Sequence, residues 1–412
     1  MILLRRLLMA VLICIGGMGL APRPSPAENV EPGELLVQLR RVGDASRLTR
    51  TYGLRIAEQI PGAAAYRMTL PPGADAEQLR RQLQADRTVV GAEANFVAQP
   101  GEGAEEAQWT TALDGDRGPR AYQGQNSIPL VNFGRTASLT TGAGVTVAVL
   151  DTGISPRHPA LAAQLLPGWN FIEGSTDTDD VPRRRDSNGN GKPDELVGHG
   201  TFVAGLIARF APGARLLPVK ILDSDGQGTL WDAVQGIRFA ISRGARVINL
   251  SFGLQAQPKL LADAVQEAKK RGVVVVTSAG NRNSDRQQFP AHYSEVLTVA
   301  ALGPDRVKAG FSNFGSDVDV VAPGVEVVST FWDGSYATWS GTSFSAAIVS
   351  GQAALILSRS RTLRWDRVIK LIRATAHNVD AWNPAHRGQL GGSEGGLVDM
   401  DAAIRAAGGR TG

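Results

Sequence analysis

Sulfur is nearly absent from this chain. One cysteine, Cys14, stands among 412 residues and lies inside the first apolar run. The rest of the chain therefore forms no disulfide, and its stability must come from a packed core, with bound ions as the other source. A chain of this length with 43% hydrophobic residues can bury such a core. A large excess of charge of one sign is missing too. The net charge is only +4, so nothing points to nucleic acid. The single dense basic run, Arg183-Arg184-Arg185, reads as a solvated loop face. No glycine pattern for a dinucleotide or a P-loop follows a strand. No Gly-x-Ser-x-Gly elbow surrounds any serine discussed below.

The N-terminus is a targeting segment. Arg5 and Arg6 precede an apolar stretch, Leu7 to Ala21, that is too short to span a bilayer well. Ala21 and Ala27 both suit the last residue before a cut. The Arg5-Arg6 pair has poor flanks for a twin-arginine route, so general export is expected, to the periplasm, cell surface or medium. Ile13 is too bulky for a lipid-attachment site at Cys14, which reads as a buried apolar residue. No transmembrane segment is expected in the mature chain.

From Glu34 to about Pro100 the pattern is strand, helix, two strands, helix, strand, as in ferredoxin-like α+β folds. Leu35 to Leu39, Ala65 to Leu70 and Val89 to Val97 read as strands. Asp44 to Tyr52 and Ala74 to Asp86 read as helices, with Leu79 and Leu83 on one face. A Gly, Glu and Ala-rich stretch, Gly101 to Gln108, then reads as an exposed linker.

Beyond Gly144 the character changes. Val145 to Leu150, Leu217 to Leu222, Ala245 to Leu250, Val273 to Thr277 and Glu295 to Ala301 are short, continuous apolar runs. Such runs are strands buried on both faces. Helical stretches, Leu230 to Ser242 and Leu260 to Arg271, lie between them. The expected fold is α/β, a doubly wound, mostly parallel sheet with helices on both faces. The implied organisation is 1–27 signal peptide, 28–100 small α+β domain, 101–120 linker and 121–412 main domain.

Three blocks carry the chemistry. Asp151 ends a strand before Thr152-Gly153, where open α/β sheets place active groups. Alone it reads first as a turn or cap aspartate. His199 lies between Gly198 and Gly200 and opens a helix whose core face is Val203, Leu206, Ile207 and Phe210. His158, His292, His377 and His386 lack such a setting and read as surface or loop residues. Ser343 opens the apolar, Ala-rich helix Phe344 to Leu357. Its bland reading is a helix cap; its sharper one is a hydroxyl beside a free amide and a favourable dipole. A fourth element is Asn281, at the exit of the Val273 to Thr277 strand, where an amide can donate to an oxyanion.

Together these residues resemble the subtilisin-like serine proteases, from roughly residue 30 to residue 408. The resemblance implies an exported serine endopeptidase, with Asp151 as acid, His199 as general base, Ser343 as nucleophile and Asn281 as oxyanion donor. It implies that Gly226-Gln227-Gly228 and Ser251-Phe252-Gly253 pair with a polypeptide substrate backbone. Residues 28–100 resemble the family's propeptide, which implies a chaperone and temporary inhibitor cut off by the enzyme itself near Gln108. A permanent binding domain is the rival reading. Ser278 and Asn281 would bound the primary pocket, with Gln288 at its floor. A neutral floor implies tolerance for medium to large uncharged side chains. Ala347 and Ile348 depart from the Pro and His that the family usually shows after the serine. A monomer is expected. A catalytically inactive binding protein on the same scaffold, and an ester hydrolase, are the alternatives.

Asp186, Asn188 and Asn190 alternate oxygen side chains, and Asp194 and Glu195 follow closely. Hard oxygen ligands at this spacing suit a structural calcium ion, with Asp186, Asn188, Asn190 and Asp194 as ligands. Val197 stands where an EF-hand needs an acid, so this is not one. A solvated Asn-Gly turn is the competing reading.

Overall fold

The computed structural model describes residues 30–98, 110–111, 118–136, 138–286 and 288–409. The signal segment with Cys14, Ala21 and Ala27, as well as Gln108 and most of the expected linker, lies outside the described residues.

The N-terminal unit runs β1 (Val30–Leu39), α1 (Ala45–Tyr52), β2 (Arg55–Gln59), β3 (Ala65–Thr69), α2 (Ala76–Ala85) and β4 (Val89–Ala98). Its antiparallel strands lie in the order β2-β3-β1-β4. Alternation along β1 explains its two loyalties. Leu35, Val37 and Leu39 pack with Leu48, Tyr66, Met68, Leu79 and Leu83 into a small core of their own. Leu36, pointing the other way, joins Ile60, Ala65 and Ala98 in the core of the larger unit. Helix α2 starts where the Asp75 side chain accepts the Gln78 N–H. Strand β2 is mostly exposed and polar, so no hydrophobic alternation announces it.

In the larger unit the site rests on β5 (Thr146–Asp151), α3 (His199–Phe210), β6 (Arg215–Lys220), α4 (Leu230–Ser242), β7 (Val247–Leu250), α5 (Lys259–Lys270), β8 (Val274–Ser278), β9 (Leu297–Leu302), β10 (Val320–Pro323) and α6 (Thr342–Arg359). The sheet has seven parallel strands in the order β10-β9-β8-β7-β5-β6, with the two-residue strand Trp169–Asn170 at the far edge. From β5 the chain passes to β6 on one side, then to β7 and onward on the other. That reversal makes the C-terminal end of β5 the switch point of the sheet, where a crevice opens.

Both faces of the sheet are covered, as the continuous apolar runs require. Val147 and Val149 of β5 join the core cluster built on α3 and α6, whereas Ala148 and Leu150 join the one built on α4 and α5. Each wholly buried Val or Leu contributes roughly 1.5–3 kcal/mol relative to exposure. Helix α6 is buried from Thr342 through Leu357, which matches a sequence that is apolar on every side. Ala347 and Ile348 both lie in that core, wholly buried.

The two units meet through β4, α4 and α5. Helix α5 follows Pro258 and has no side-chain cap of its own. The Glu93 carboxylate supplies one, accepting the Lys259 N–H at 2.8 Å and the Leu260 N–H at 2.9 Å. Asn95 Oδ1 accepts the Trp231 N–H at 3.1 Å at the start of α4. The Trp231 indole N–H donates to Glu58 at 2.8 Å, and Gln38 donates to Asp263 at 2.9 Å.

Candidate active site

Asp151 and His199 are both wholly buried, and His199 Nδ1 lies 2.7 Å from Asp151 Oδ1. A carboxylate only accepts, so Nδ1 carries the proton and Nε2 is the acceptor end of the ring. The same Oδ1 also accepts the Thr152 N–H at 2.7 Å. The elements are laced together one residue further on: Thr152 Oγ1 accepts the Gly200 N–H at 2.9 Å. Gly200 is needed there, because a Cβ would lie 2.1 Å from the Gly153 carbonyl oxygen.

The imidazole sits in an aromatic recess. Its centroid is 5.5 Å from that of Trp339, edge-on, and 5.5 Å from that of Phe344. Phe344 directly follows Ser343, so the ring packs on the first turn of α6, which carries the hydroxyl. Ser343 is buried. It is the second residue of α6, so its N–H belongs to the first turn of the helix.

Asn281 lies just past the end of β8, and Thr342 holds its oxygen. Thr342 N–H donates to Asn281 Oδ1 at 3.0 Å and Thr342 Oγ1 donates to the same atom at 2.8 Å. A backbone N–H can only donate, so the oxygen must face Thr342 and Nδ2 is the end that can serve an oxyanion. Gly280 N–H donates to Thr342 Oγ1 at 3.1 Å and locks the hydroxyl in turn.

The substrate-side residues are placed as follows. Gly228 and Thr229 form a short strand paired antiparallel with Ala98 and Val97 at the end of β4. Gly226 has φ +80° and packs against Leu196. Ser251 is buried and accepts from Asn249 Nδ2 at 2.8 Å, and the Phe252 side chain is buried in the core beside α4 and α5. Ser278, the last residue of β8, is buried too. The Gln288 amide lies between two glycines: a Cβ on Gly253 would come within 2.7 Å of its Nε2, and one on Gly280 within 2.5 Å of its Oε1.

The polar loop differs from expectation at one position. The Asp194 carboxylate accepts the N–H groups of Arg183, Arg184 and Arg185 at 3.0, 2.8 and 3.3 Å, and the Ser224 hydroxyl at 2.5 Å. It organises the arginine loop and does not face Asn188 or Asn190. Glu195 does: its Oε2 lies 3.1 Å from Asn188 Nδ2 and 2.5 Å from Asn190 Nδ2. Asp186 accepts the N–H groups of Asn190 and Gly191 at 3.0 and 2.9 Å. Among the described residues no group of three or more His, Cys, Asp or Glu is arranged to hold a metal.

Of the other histidines, all lie in loops or short turns as expected, and one of them is unexpectedly buried. His158 stands in a loop but is buried. Its Nε2 bonds the Ser335 carbonyl at 2.9 Å, and burial lowers its pKa. His292 pairs with Asp317 at 2.9 Å and His377 with Asp399 at 2.8 Å. Sequence reasoning missed Thr342, Thr152 and Asp180. Thr152 directly follows Asp151 and Thr342 directly precedes Ser343; Asp180 lies in a polar stretch with no period to single it out. Among the described residues no helix is long and apolar enough to cross a membrane.

Comparison with known proteins agrees with this geometry. The profile of the Subtilase family matches residues 142–393, and that of the Fervidolysin N-terminal prodomain matches residues 23–95. The chain is 39% identical to thermitase of Thermoactinomyces vulgaris over 235 residues, covering 54% of this chain and 78% of thermitase. It is 37% identical to subtilisin BL of Lederbergia lenta over 274 residues, covering 64% of this chain and 92% of that protein. The fold resembles the crystal structure of fervidolysin from Fervidobacterium pennivorans, with a TM-score of 0.75 at 23% identity, spanning 93% of this chain and 62% of fervidolysin. A carboxylate–imidazole pair at the switch point of a parallel sheet, a serine on the helix beside it and a prodomain in front of it place this chain in the subtilase family of serine endopeptidases.

Proposed function

We propose that the chain is an exported endopeptidase that removes its own N-terminal unit, with Asp151, His199 and Ser343 as catalytic residues and Asn281 as oxyanion donor. The observation that carries this reading is the pairing of Val97 and Ala98 with Thr229 and Gly228. The N-terminal unit ends on the same sheet edge that a substrate backbone would occupy. It therefore fits the role of an inhibitor bound like a product, and its core-forming contacts on α4 and α5 fit that of a folding template.

The chemistry follows from the geometry. Ser343 Oγ attacks the peptide carbonyl carbon as its proton passes to His199 Nε2. Asp151 holds the Nδ1 proton and stabilises the imidazolium. Asn281 Nδ2 and the Ser343 N–H donate to the oxyanion, both preset before the charge develops. The tetrahedral species collapses as His199 returns the proton to the leaving amine. Water then cleaves the acyl-enzyme by the same path. The Gln288 amide between Gly253 and Gly280 makes a neutral pocket end, which favours uncharged side chains over Lys or Arg.

The domain limits follow: 1–27 a signal peptide, 28–100 the propeptide, 101–120 the cleaved linker and 121–412 the peptidase. A structural calcium ion would take Asp186, Asn188, Asn190 and Glu195 as ligands, and the two amides would turn to it by releasing the N–H groups of Asn190 and Lys192 that their oxygens accept at 2.9 Å. The decisive experiment expresses the chain beside its Ser343→Ala variant. The unaltered chain should lose a piece of about the size of the N-terminal unit, whereas the variant should stay whole. Equal processing of both ends the proposal.

A further inference from the structure

We propose that Asp180 and Lys220 are positioning residues that fix the Asp151–His199 pair from behind, one holding the imidazole's helix and the other the turn that carries the acid. The inference rests on the catalytic roles proposed above.

Helix α3 opens at Gly198, whose φ of +90° leaves no side chain to cap it. The cap comes from a distance in sequence. The Asp180 carboxylate, wholly buried, accepts the Gly198 N–H at 3.0 Å, the Thr201 N–H at 3.0 Å and the Thr201 hydroxyl at 2.8 Å. Three donors on one carboxylate bracket His199 on both sides, at positions 198 and 201. A negative charge at a helix N-terminus is also favoured by the helix dipole.

Lys220 performs the matching task on the acid's side. It ends β6, its backbone in register with Asp151 across the parallel pair. Its ammonium, 1% exposed, donates to the Thr152 carbonyl, one residue past Asp151. Thr152 Oγ1 in turn accepts the Gly200 N–H. The segment before Asp180 packs on the same turn, since Ile154 N–H donates to the Thr178 carbonyl at 2.9 Å. The two opposite charges thus close a ring of bonds around the catalytic pair.

Burial ties the two charges to each other. It pushes the Asp180 carboxyl up and the Lys220 ammonium down, and each is the largest electrostatic support of the other. Other charged groups whose fields reach Lys220 are Asp223, Glu173 and Arg183. A lone buried charge is costly, so removal of either should disturb the other. Both act on the site through the hydrogen bonds above, which set its geometry, and a misplacement of about 1 Å costs on the order of 100-fold in rate.

The test uses full-length chains carrying Asp180→Asn, Lys220→Met, both together, and the milder Thr201→Val, each matured and counted by active-site titration. For a short peptide ester, kcat should fall roughly 10- to 100-fold in the two charge variants while KM moves less than about twofold. The double variant should be no worse than the worse single one, because the pair acts as a unit. Thr201→Val should lower kcat by roughly threefold to tenfold at constant KM. If the charge variants do not mature, Thr201→Val and the downfield Nδ1 proton of His199 in the uncleaved Ser343→Ala background decide. That resonance should shift or broaden with Asp180→Asn. Unchanged kcat per active site, losses that multiply in the double variant, or an unmoved His199 proton overturn the inference. An active Ser343→Ala chain would instead overturn the proposed function itself.

Discussion

The Asn281 side-chain oxygen accepts two hydrogen bonds from Thr342, at 3.0 Å from its N–H and 2.8 Å from its hydroxyl. The residue before the candidate nucleophile thereby aims the amide that would meet the oxyanion. Removal of Asn281 as Asn281→Leu should lower kcat by about 10²–10³, the magnitude known for one oxyanion donor in subtilisin itself. Thr342→Val keeps shape and the backbone donor but loses the hydroxyl, so a smaller drop of roughly tenfold in kcat is expected, with KM nearly constant. A change in KM alone for either variant would contradict this aiming role.

Contact between the two units should weaken as pH rises. Asp232 lies under the N-terminal unit, facing Arg67 and Glu58, and burial pushes its carboxyl up to about 6 against two hydrogen bonds from Thr229. Burial raises Glu93 as well. A carboxyl whose pKa is higher in the contact than outside it takes up a proton when the contact forms. Its contribution is full below the ordinary aspartate range and is lost as pH rises through about 6. Urea titrations of the Ser343→Ala chain, read by tryptophan emission, should show undocking at lower urea near pH 8 than near pH 5. Trp231 reports it, being 1% exposed with its indole on Glu58. Asp232→Asn should narrow the gap; equal midpoints in the unaltered chain would count against the linkage.

A calcium ion in the polar loop predicts a fall in melting temperature on chelation, because a ligand that binds only the folded state stabilises it by mass action. Glu195→Gln should shrink that fall. Asp194→Asn should lower the melting temperature yet leave the response to chelator intact, since Asp194 serves the arginine loop. A chelator with no effect removes calcium from the account.

Oxidants should leave the peptidase working. No cysteine or methionine occurs between Met68 and Met400, and Met400 is wholly buried. Hydrogen peroxide attacks exposed sulfur first, so residual activity after peroxide treatment of the mature enzyme should stay near that of the untreated sample. Rapid inactivation would point to damage elsewhere.

Much of the fold was legible because its cause is local. Continuous Val and Ile runs demand cover on both faces, and helix Leu230–Ser242 has the bounds its apolar spacing predicts. Most other elements shift by one or two residues at their ends, as the strand read at Val273 to Thr277 does in lying over Val274–Ser278, whereas β1 begins five residues before the Leu35 read as its start. Strand β2 was counted in the pattern but could be given no bounds, because an exposed, polar edge carries no alternation. The burial of the loop residue His158 was not legible because it depends on Ser335 and Tyr336, far along the chain.

From the linear text alone came the acid, the imidazole, the hydroxyl and the amide, together with the strand ends and helix starts that present them, since glycines and apolar periodicity mark such places within a few residues. Only the folded chain decided which groups support them. Asp180 and Lys220 stand 40 positions apart in sequence, and Glu195 rather than Asp194 turns toward Asn188 and Asn190. Ala98 meets Gly228 across a gap of more than a hundred residues. Such choices depend on which polar groups burial forces together, and burial belongs to the packed whole.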